Sequence, residues 1–299
     1  MSNHQDPEEL IKDFENFDWS QLSLERLKKL QSTLSKAIAL KIQEKLTKDR
    51  DRANLGKIYE YKARLAKVFP QSMGTSLSKH EKCVFAISLG SKNFVYKERI
   101  EACIKWISDN FKNCLVLIGD SIHRLTIEVR QGIKGDEALL EAIRTGEKFV
   151  NENSFLFEEY SQICRFEFKM ISEVEKRPDF NIYYEQLQNL YKKNESFQTT
   201  IDSFAQKYLN RGEQVVAEQM LELRQNYLAK TYLLEESALF TCIAKEGWQV
   251  FVYPGSIKTF EEISEGLHPE VPEPLKQIIW VSLGLKGQNA ARGNKNSGE

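Results

Sequence analysis

Cys83-Val-Phe-Ala-Ile-Ser88 and Cys114-Leu-Val-Leu-Ile118 decide the fold class. Each is a short apolar run that stops on small or polar residues: Ser88-Leu-Gly-Ser91 after the first, Gly119-Asp120 after the second. Between them, Ile100, Cys103, Ile104, Ile107 and Phe111 recur at helical spacing and predict a helix over Lys97–Phe111. Strand, loop, helix and strand in this order form a βαβ unit, so the two strands are expected to be parallel. Runs that are apolar throughout fit strands covered on both faces. The class is α/β, a parallel sheet with flanking helices.

Downstream, a mainly helical stretch from Glu137 to Phe240 is interrupted by a strand near Cys164–Lys169. Gln249-Val-Phe-Val-Tyr253 and Gln277-Ile-Ile-Trp-Val-Ser-Leu283 read as later strands. Upstream, Leu24, Leu27, Leu30, Leu34, Ile38, Ile42 and Leu46 lie on one helical face, and a second helix is expected over Ala53–Val68. Pro70 to Ser78 reads as a linker. The expected organisation is a helical basic extension and linker over 1–78, a catalytic domain over 79–285 and a disordered tail over 286–299.

Hydrophobic residues make up 41% of the 299-residue chain and charged residues 28%, which excludes a mainly disordered protein. The net charge of −1 argues against a protein that grips nucleic acid over its whole surface. Yet Arg26–Lys67 holds 13 basic residues and far fewer acidic ones, enough to touch a polyanion or to pair two copies of the chain. No apolar run approaches the ~20 residues of a membrane-spanning helix, and residues 1–6 do not open a secretory signal. The five cysteines form no C-x-x-C pair and read as reduced, buried thiols of a cytoplasmic protein. The four histidines lack metal-binding spacing, and no phosphate-binding glycine loop is present, so neither a metal nor a nucleotide cofactor is implied.

In open α/β sheets ligands bind beyond the carboxyl ends of the strands. Ser88, Asp120 and Tyr253 fall at such ends. A serine followed by Gly90 suits a tight turn whose amides face a developing oxyanion. Tyr232 and Glu236 are four residues apart on one helix face, where a phenol and a carboxylate can grip an amino group. Taken singly, each also fits an ordinary turn, core or surface residue.

Together, in this order and spacing, these elements resemble the tRNA-dependent cyclodipeptide synthases over about Lys82–Leu283. Ser88-Leu-Gly-Ser91 sits where that family carries its nucleophile loop, Tyr232-x-x-x-Glu236 matches its helical pair, and Tyr253-Pro254 its strand-end dipeptide. Ser91, Tyr253 and Pro254 at the marker positions are similar to the branch with a variable residue, Tyr and Pro. The resemblance implies a Rossmann-like domain similar to the catalytic domains of class I aminoacyl-tRNA synthetases. It also implies joining of two aminoacyl-tRNAs into a cyclic dipeptide, through an aminoacyl-enzyme and a dipeptidyl-enzyme on Ser88, without ATP. Tyr232 and Glu236 would hold the α-ammonium of the first aminoacyl group, with Tyr253 beside Ser88. By the same resemblance Val84, Ala86, Leu117, Gly119, Leu239 and Phe251 would line the first side-chain pocket, with Gly90, Ser91, Asp120 and Pro254 nearby. Gly135–Tyr160 carries only Arg144 and Lys148 against seven acidic residues and would repel phosphate. Arg124, Arg130, Lys134, Lys192, Lys193 and the basic extension are therefore the expected tRNA contacts. The protein is expected as a monomer, or as a dimer through the N-terminal helices.

Two other readings fit parts of the sequence. Val116-Leu-Ile-Gly-Asp-Ser121 resembles the nucleophile block of GDS-type esterases, and Ala86-Ile-Ser-Leu-Gly90 is half of a hydrolase elbow; either Ser121 or Ser88 would then need His268 as base. Alternatively, the chain is a non-catalytic tRNA-binding protein.

Overall fold

A computed structural model describes residues 21–23, 26, 59–210 and 219–289. The chain divides into two units, Met1–Ile58 with Asn289–Glu299, and Tyr59–Gln288. In the first, Ser23 Oγ accepts a hydrogen bond from the Arg26 amide at 3.4 Å, a capping contact at the start of the predicted helix. The rest of that helix, the charge-rich segment after it and the tail beyond Asn289 lie outside the described residues.

In the second unit six strands form one sheet in the order β1-β6-β5-β2-β3-β4. The strands are β1 (Tyr59–Phe69), β2 (Lys82–Ile87), β3 (Asn113–Ile118), β4 (Arg165–Met170), β5 (Val250–Pro254) and β6 (Ile279–Asn289). The four pairings from β6 to β4 are parallel, as the βαβ reading requires. The chain moves outward from β2 through β3 to β4, then returns to the other side of β2 as β5. That reversal opens a crevice between the carboxyl ends of β2 and β5.

Strand alternation assigns the two faces. Val84 and Ala86 of β2, Leu115 and Leu117 of β3, Phe251 of β5 and Trp280 of β6 point into one core. Cys83, Phe85, Ile87, Cys114, Val116, Ile118, Val250, Val252 and Val281 point into the other. Helices α1 (Lys97–Asn110) and α3 (Gly135–Glu158) cover the second face. The first is covered by α2 (His123–Gln131), α4 (Ile171–Glu175), α5 (Pro178–Lys193), α6 (Glu195–Leu209), α7 (Gln219–Lys245), α8 (Lys258–Ser264) and α9 (Glu273–Lys276). The middle of α7 is buried nearly all round, from Leu228 to Ala244, because other helices pack on it as well as the sheet. All five cysteines are free and buried. Among the described residues no helix is long and apolar enough to cross a membrane.

The helix expected over Ala53–Val68 is corrected: Tyr59–Phe69 is a strand at the sheet edge. Its lysines and arginine punctuate apolar residues in a way that also mimics a helical stripe, and only the neighbouring β6 decides between them. The compact unit therefore begins at Tyr59 rather than after residue 78, and Pro70–Ser78 forms short 3₁₀ turns between β1 and β2. Strand β6 also continues past the expected boundary at 285 to Asn289. Ala63 and Val68 of β1 are buried. Ala63→Asp and Val68→Asp should each cost about 3 kcal/mol or more, the scale of an uncompensated buried charge. Urea denaturation that finds both variants as stable as the wild type would contradict a packed edge strand.

Candidate active site

The crevice between β2 and β5 holds a cavity of about 420 Å³. Ser88 enters it from the end of β2, Tyr232 and Glu236 from adjacent turns of α7, and Tyr253 from the end of β5. The four residues singled out for chemistry thus meet at one place. Gly90, Ser91 and Pro254 also line it.

The serine sits on a tight turn closed by the Ser91 amide donating to the Ser88 carbonyl at 3.0 Å. Gly90 lets this turn lie against α2: a Cβ there would come within 3.3 Å of Thr126 and 3.5 Å of the His123 ring. Burial, reinforced by Arg130, pushes the His123 pKa down to about 4, so its imidazole is neutral at pH 7. On the other side Phe94 packs edge-on against Tyr253, with centroids 6.0 Å apart.

Asn93, which the sequence did not mark, ties the turn to β5. Its amide nitrogen Nδ2 donates to the Pro254 carbonyl at 2.5 Å, while its backbone N–H donates to Ser91 Oγ at 3.3 Å. Arg99 of α1 braces it, donating from a terminal guanidinium nitrogen to Asn93 Oδ1 at 3.4 Å. The same guanidinium lies between two rings, 4.9 Å from the centroid of Tyr61 and 5.1 Å from that of Tyr96. Edge strand β1, which carries Tyr61, is thereby linked to the Ser88 turn.

Two adjacent glutamates of α7 have opposite surroundings. Glu235 receives Arg124 at 2.6 Å, and Arg124 also faces Glu175 at 3.7 Å. Glu236 points into the cavity, and its Oε2 is buried with no hydrogen-bond partner. Burial alone raises the Glu236 pKa to about 8. The Tyr232 phenol is driven well above its ordinary value, first by burial and then by Glu236; its hydrogen-bond partner is the Ser88 hydroxyl. A buried carboxyl group beside a phenol and a serine hydroxyl can, on ionising, receive a cation attached to an acyl group.

A second, enclosed cavity of about 10 Å³ opens from the same four residues. Ala86, Leu117 and Gly119 line it, joined by Ile87, Ile122, Ile171 and Phe240. Val84, Leu239 and Phe251 do not line it: they face the same side of the sheet but lie in the packed core. The resemblance carried the side of the sheet and not the depth. Asp120 is also corrected. It is fully buried and accepts from the amide and hydroxyl of Ser172 at 2.9 and 2.5 Å, capping α4 and lining neither cavity.

Of the basic residues expected to meet tRNA, Arg130 lines the large cavity together with Lys92. Arg124 does not fit that role, because its guanidinium is taken by Glu235 and Glu175. Lys134 is exposed just before α3. Lys192 and Lys193 end α5, and Lys193 borders an open groove that shares no lining residue with the Ser88 cavity. The hydrolase readings lose their residues. Ser121 is fully buried, and His268 is buried against the Phe197 ring and 3.4 Å from Glu262, outside both Ser88 cavities. Thr126, Phe204 and Tyr208 were missed, although Phe204 and Tyr208 share one face of α6 at helical spacing; their rings stack with Tyr232.

Two outcomes follow from this geometry. If Ser88 reacts as the resemblance implies, Asn93→Ala should slow its acylation by an aminoacyl ester roughly 10²-fold, the cost of misplacing a reacting group by about 1 Å. An acylation rate equal to wild type would show that the turn does not need this tie. A carboxyl group raised in the folded state binds its proton more tightly there than in the unfolded chain, so its contribution to stability falls as pH rises from about 4.5 to about 8. The melting temperature of Glu236→Gln relative to wild type should therefore climb across that interval. A difference that is flat with pH would place the Glu236 pKa at its ordinary value.

The comparisons with known proteins converge on one family. A family model described as cyclodipeptide synthase matches residues 67–263. No curated protein matches. Among solved structures, a cyclodipeptide synthase from Fluoribacter dumoffii is 22% identical with a TM-score of 0.65, over 77% of this chain and 100% of its own. The cyclodipeptide synthase from Candidatus Glomeribacter gigasporarum, bound to Phe-tRNAPhe, is 18% identical with a TM-score of 0.52, over 77% of this chain and 96% of its own. A Mycobacterium tuberculosis protein, whose structure relates cyclodipeptide synthetases to type I tRNA synthetases, is 15% identical with a TM-score of 0.52, over 76% of this chain and 94% of its own. These likenesses establish the Rossmann-like fold shared with the class I synthetases. With a family model spanning most of the unit that carries Ser88, Tyr232 and Glu236, the chain belongs to the cyclodipeptide synthase family.

Proposed function

We propose that this protein joins two aminoacyl-tRNAs into a cyclic dipeptide on Ser88, and that it belongs to the branch marked here by Ser91, Tyr253 and Pro254. The observation that carries the reading is the convergence of Ser88 with the unpaired carboxylate of Glu236 in one cavity at the sheet's switch point. The aminoacyl ester is already activated, so no ATP is consumed.

In the first step Ser88 Oγ bonds to the ester carbonyl carbon, the bond to the ribose oxygen breaks, and the serine proton passes to that oxygen. Tyr253, at the end of β5, donates to the carbonyl or relays the proton. Glu236 and Tyr232 hold the α-ammonium. Glu236, protonated in the empty site, gives up its proton to solvent as the ammonium docks; the resulting carboxylate then takes a proton from that ammonium, freeing the amine. The amine then attacks the second aminoacyl ester, the second ribose oxygen leaves with a proton, and the dipeptide stays on Ser88. In the last step the new terminal amine attacks the Ser88 ester; the ring closes and Oγ regains its proton. Closure is intramolecular, so correct placement substitutes for strong activation.

The large cavity, bounded by Arg130 and Lys92, is the side from which the RNA enters. Acidic α3 deflects phosphate toward those cations. The basic N-terminal segment adds RNA affinity or pairs two chains.

Mass spectrometry of medium from bacteria producing the protein tests the reading. Cyclic dipeptides should appear with wild type, vanish with Ser88→Ala, and fall by roughly 10²–10⁴-fold with Glu236→Gln, the range for loss of a positioned acid–base group. Undiminished product from Ser88→Ala would remove the nucleophile and with it this mechanism.

A further inference from the structure

The reading above leaves open which amino acids are joined. The two cavities that meet at Ser88 differ widely in size, about 420 and about 10 Å³. A bound ester must place three things around one carbon: its ammonium at Glu236 and Tyr232, its carbonyl at Ser88, and its side chain. The ribose and the RNA behind it need the open side. The side chain is left with the enclosed cavity.

That cavity is about the size of a single water molecule or methyl group. Away from the four polar residues at its mouth its walls are apolar: Ala86, Leu117, Ile122, Ile171 and Phe240, with Gly119 between them. The walls are held from behind. The Phe240 ring packs against Phe251 and Phe260, with centroids 4.6 and 4.9 Å apart, and is 1% exposed. Ile171 precedes Ser172, which Asp120 grips through two hydrogen bonds. Ile122 and Ile171 close over Gly119, where an added Cβ would meet them at 3.5 and 3.9 Å. The Gly119 backbone itself is tied to β2, its amide donating to the Ile87 carbonyl at 2.9 Å. A close-packed wall of this kind yields to a larger group only by forcing side chains off their rotamers.

We propose that the aminoacyl group held on Ser88 is glycyl or alanyl, and that Ile122, Ile171 and Phe240 set this limit. The choice extends the proposed function by naming its first substrate class, and it rests on that reading. Every product then contains glycine or alanine, while the open cavity accepts a wider range as the second residue. Serine is disfavoured, since its hydroxyl would be buried among apolar walls without a partner. Each methylene beyond the methyl group costs about 10–200-fold in rate.

The test is intact-mass measurement of the full-length protein mixed separately with glycyl-, alanyl-, valyl-, leucyl- and phenylalanyl-tRNA, timing the adduct on Ser88. Glycyl or alanyl adducts should form at least 10²-fold faster than leucyl or phenylalanyl ones. Ile171→Ala and, separately, Phe240→Leu should open the cavity and bring valyl and leucyl adducts within about tenfold of alanyl, with folding of each variant checked by circular dichroism. Rapid leucylation or phenylalanylation of wild type would overturn the size limit while leaving the proposed reaction intact. An unchanged preference in both folded variants would overturn the assignment of the walls. No adduct from any of the five would overturn the reaction itself and the size limit with it.

Discussion

Glu236 carries a carboxyl group that the fold buries without a cation, one oxygen of it lacking any hydrogen-bond partner. Most buried acids are matched to a cation or a set of donors, because an isolated charge in a low dielectric is costly. Its neighbour Glu235 follows that rule through Arg124. Glu236 escapes it only because α7 is fixed on all sides: Tyr232 and Leu233 lie one turn before it, Phe240 lies one turn after it, and the sheet lies beneath. The helix is packed too closely to turn the group out to solvent, and burial raises its pKa to about 8.

The remaining parts of the site can be understood as supports for that meeting of carboxyl and hydroxyl. The switch point between β2 and β5 brings a serine and a tyrosine from strands far apart in sequence to one crevice. Asn93 bridges the two strand ends, and Arg99 with Tyr61 braces Asn93 from the sheet edge. Ser91 Oγ accepts from the Asn93 amide, and Asn93 in turn reaches β5. One residue of the turn thus orients the next, and the second makes the cross-strand contact.

How much of this was legible follows from which interactions are local. The βαβ unit, β4, β5 and β6 were readable because apolar runs of strand length, bounded by polar turns, admit few other structures. Tyr59–Phe69 was misread because an edge strand shows only partial alternation and its lysines suit a helix equally well. Ser88, Tyr232, Glu236 and Tyr253 stood out only when taken together. Their meeting depends on the strand order, which a single sequence does not state. Val84 and Phe251 share a sheet face with Ala86 and Leu117, and Leu239 of α7 packs in the same core, but positions matched by resemblance carry no information on depth below the cavity. Arg124 and Asp120 looked available because charge is visible in a sequence and its partner is not; Glu235, Glu175 and Ser172 supply those partners from segments more than 50 residues away.

The most direct test is infrared difference spectroscopy of the Glu236 carboxyl in protein labelled with ¹³C-glutamate, assigned by subtraction of the Glu236→Gln spectrum. The account predicts a protonated carboxyl at pH 7 in the empty enzyme, consistent with a pKa of about 8, and formation of a carboxylate band when aminoacyl-tRNA charges Ser88. A carboxyl already ionised at pH 6, or one whose protonation is unchanged by aminoacylation, would contradict it.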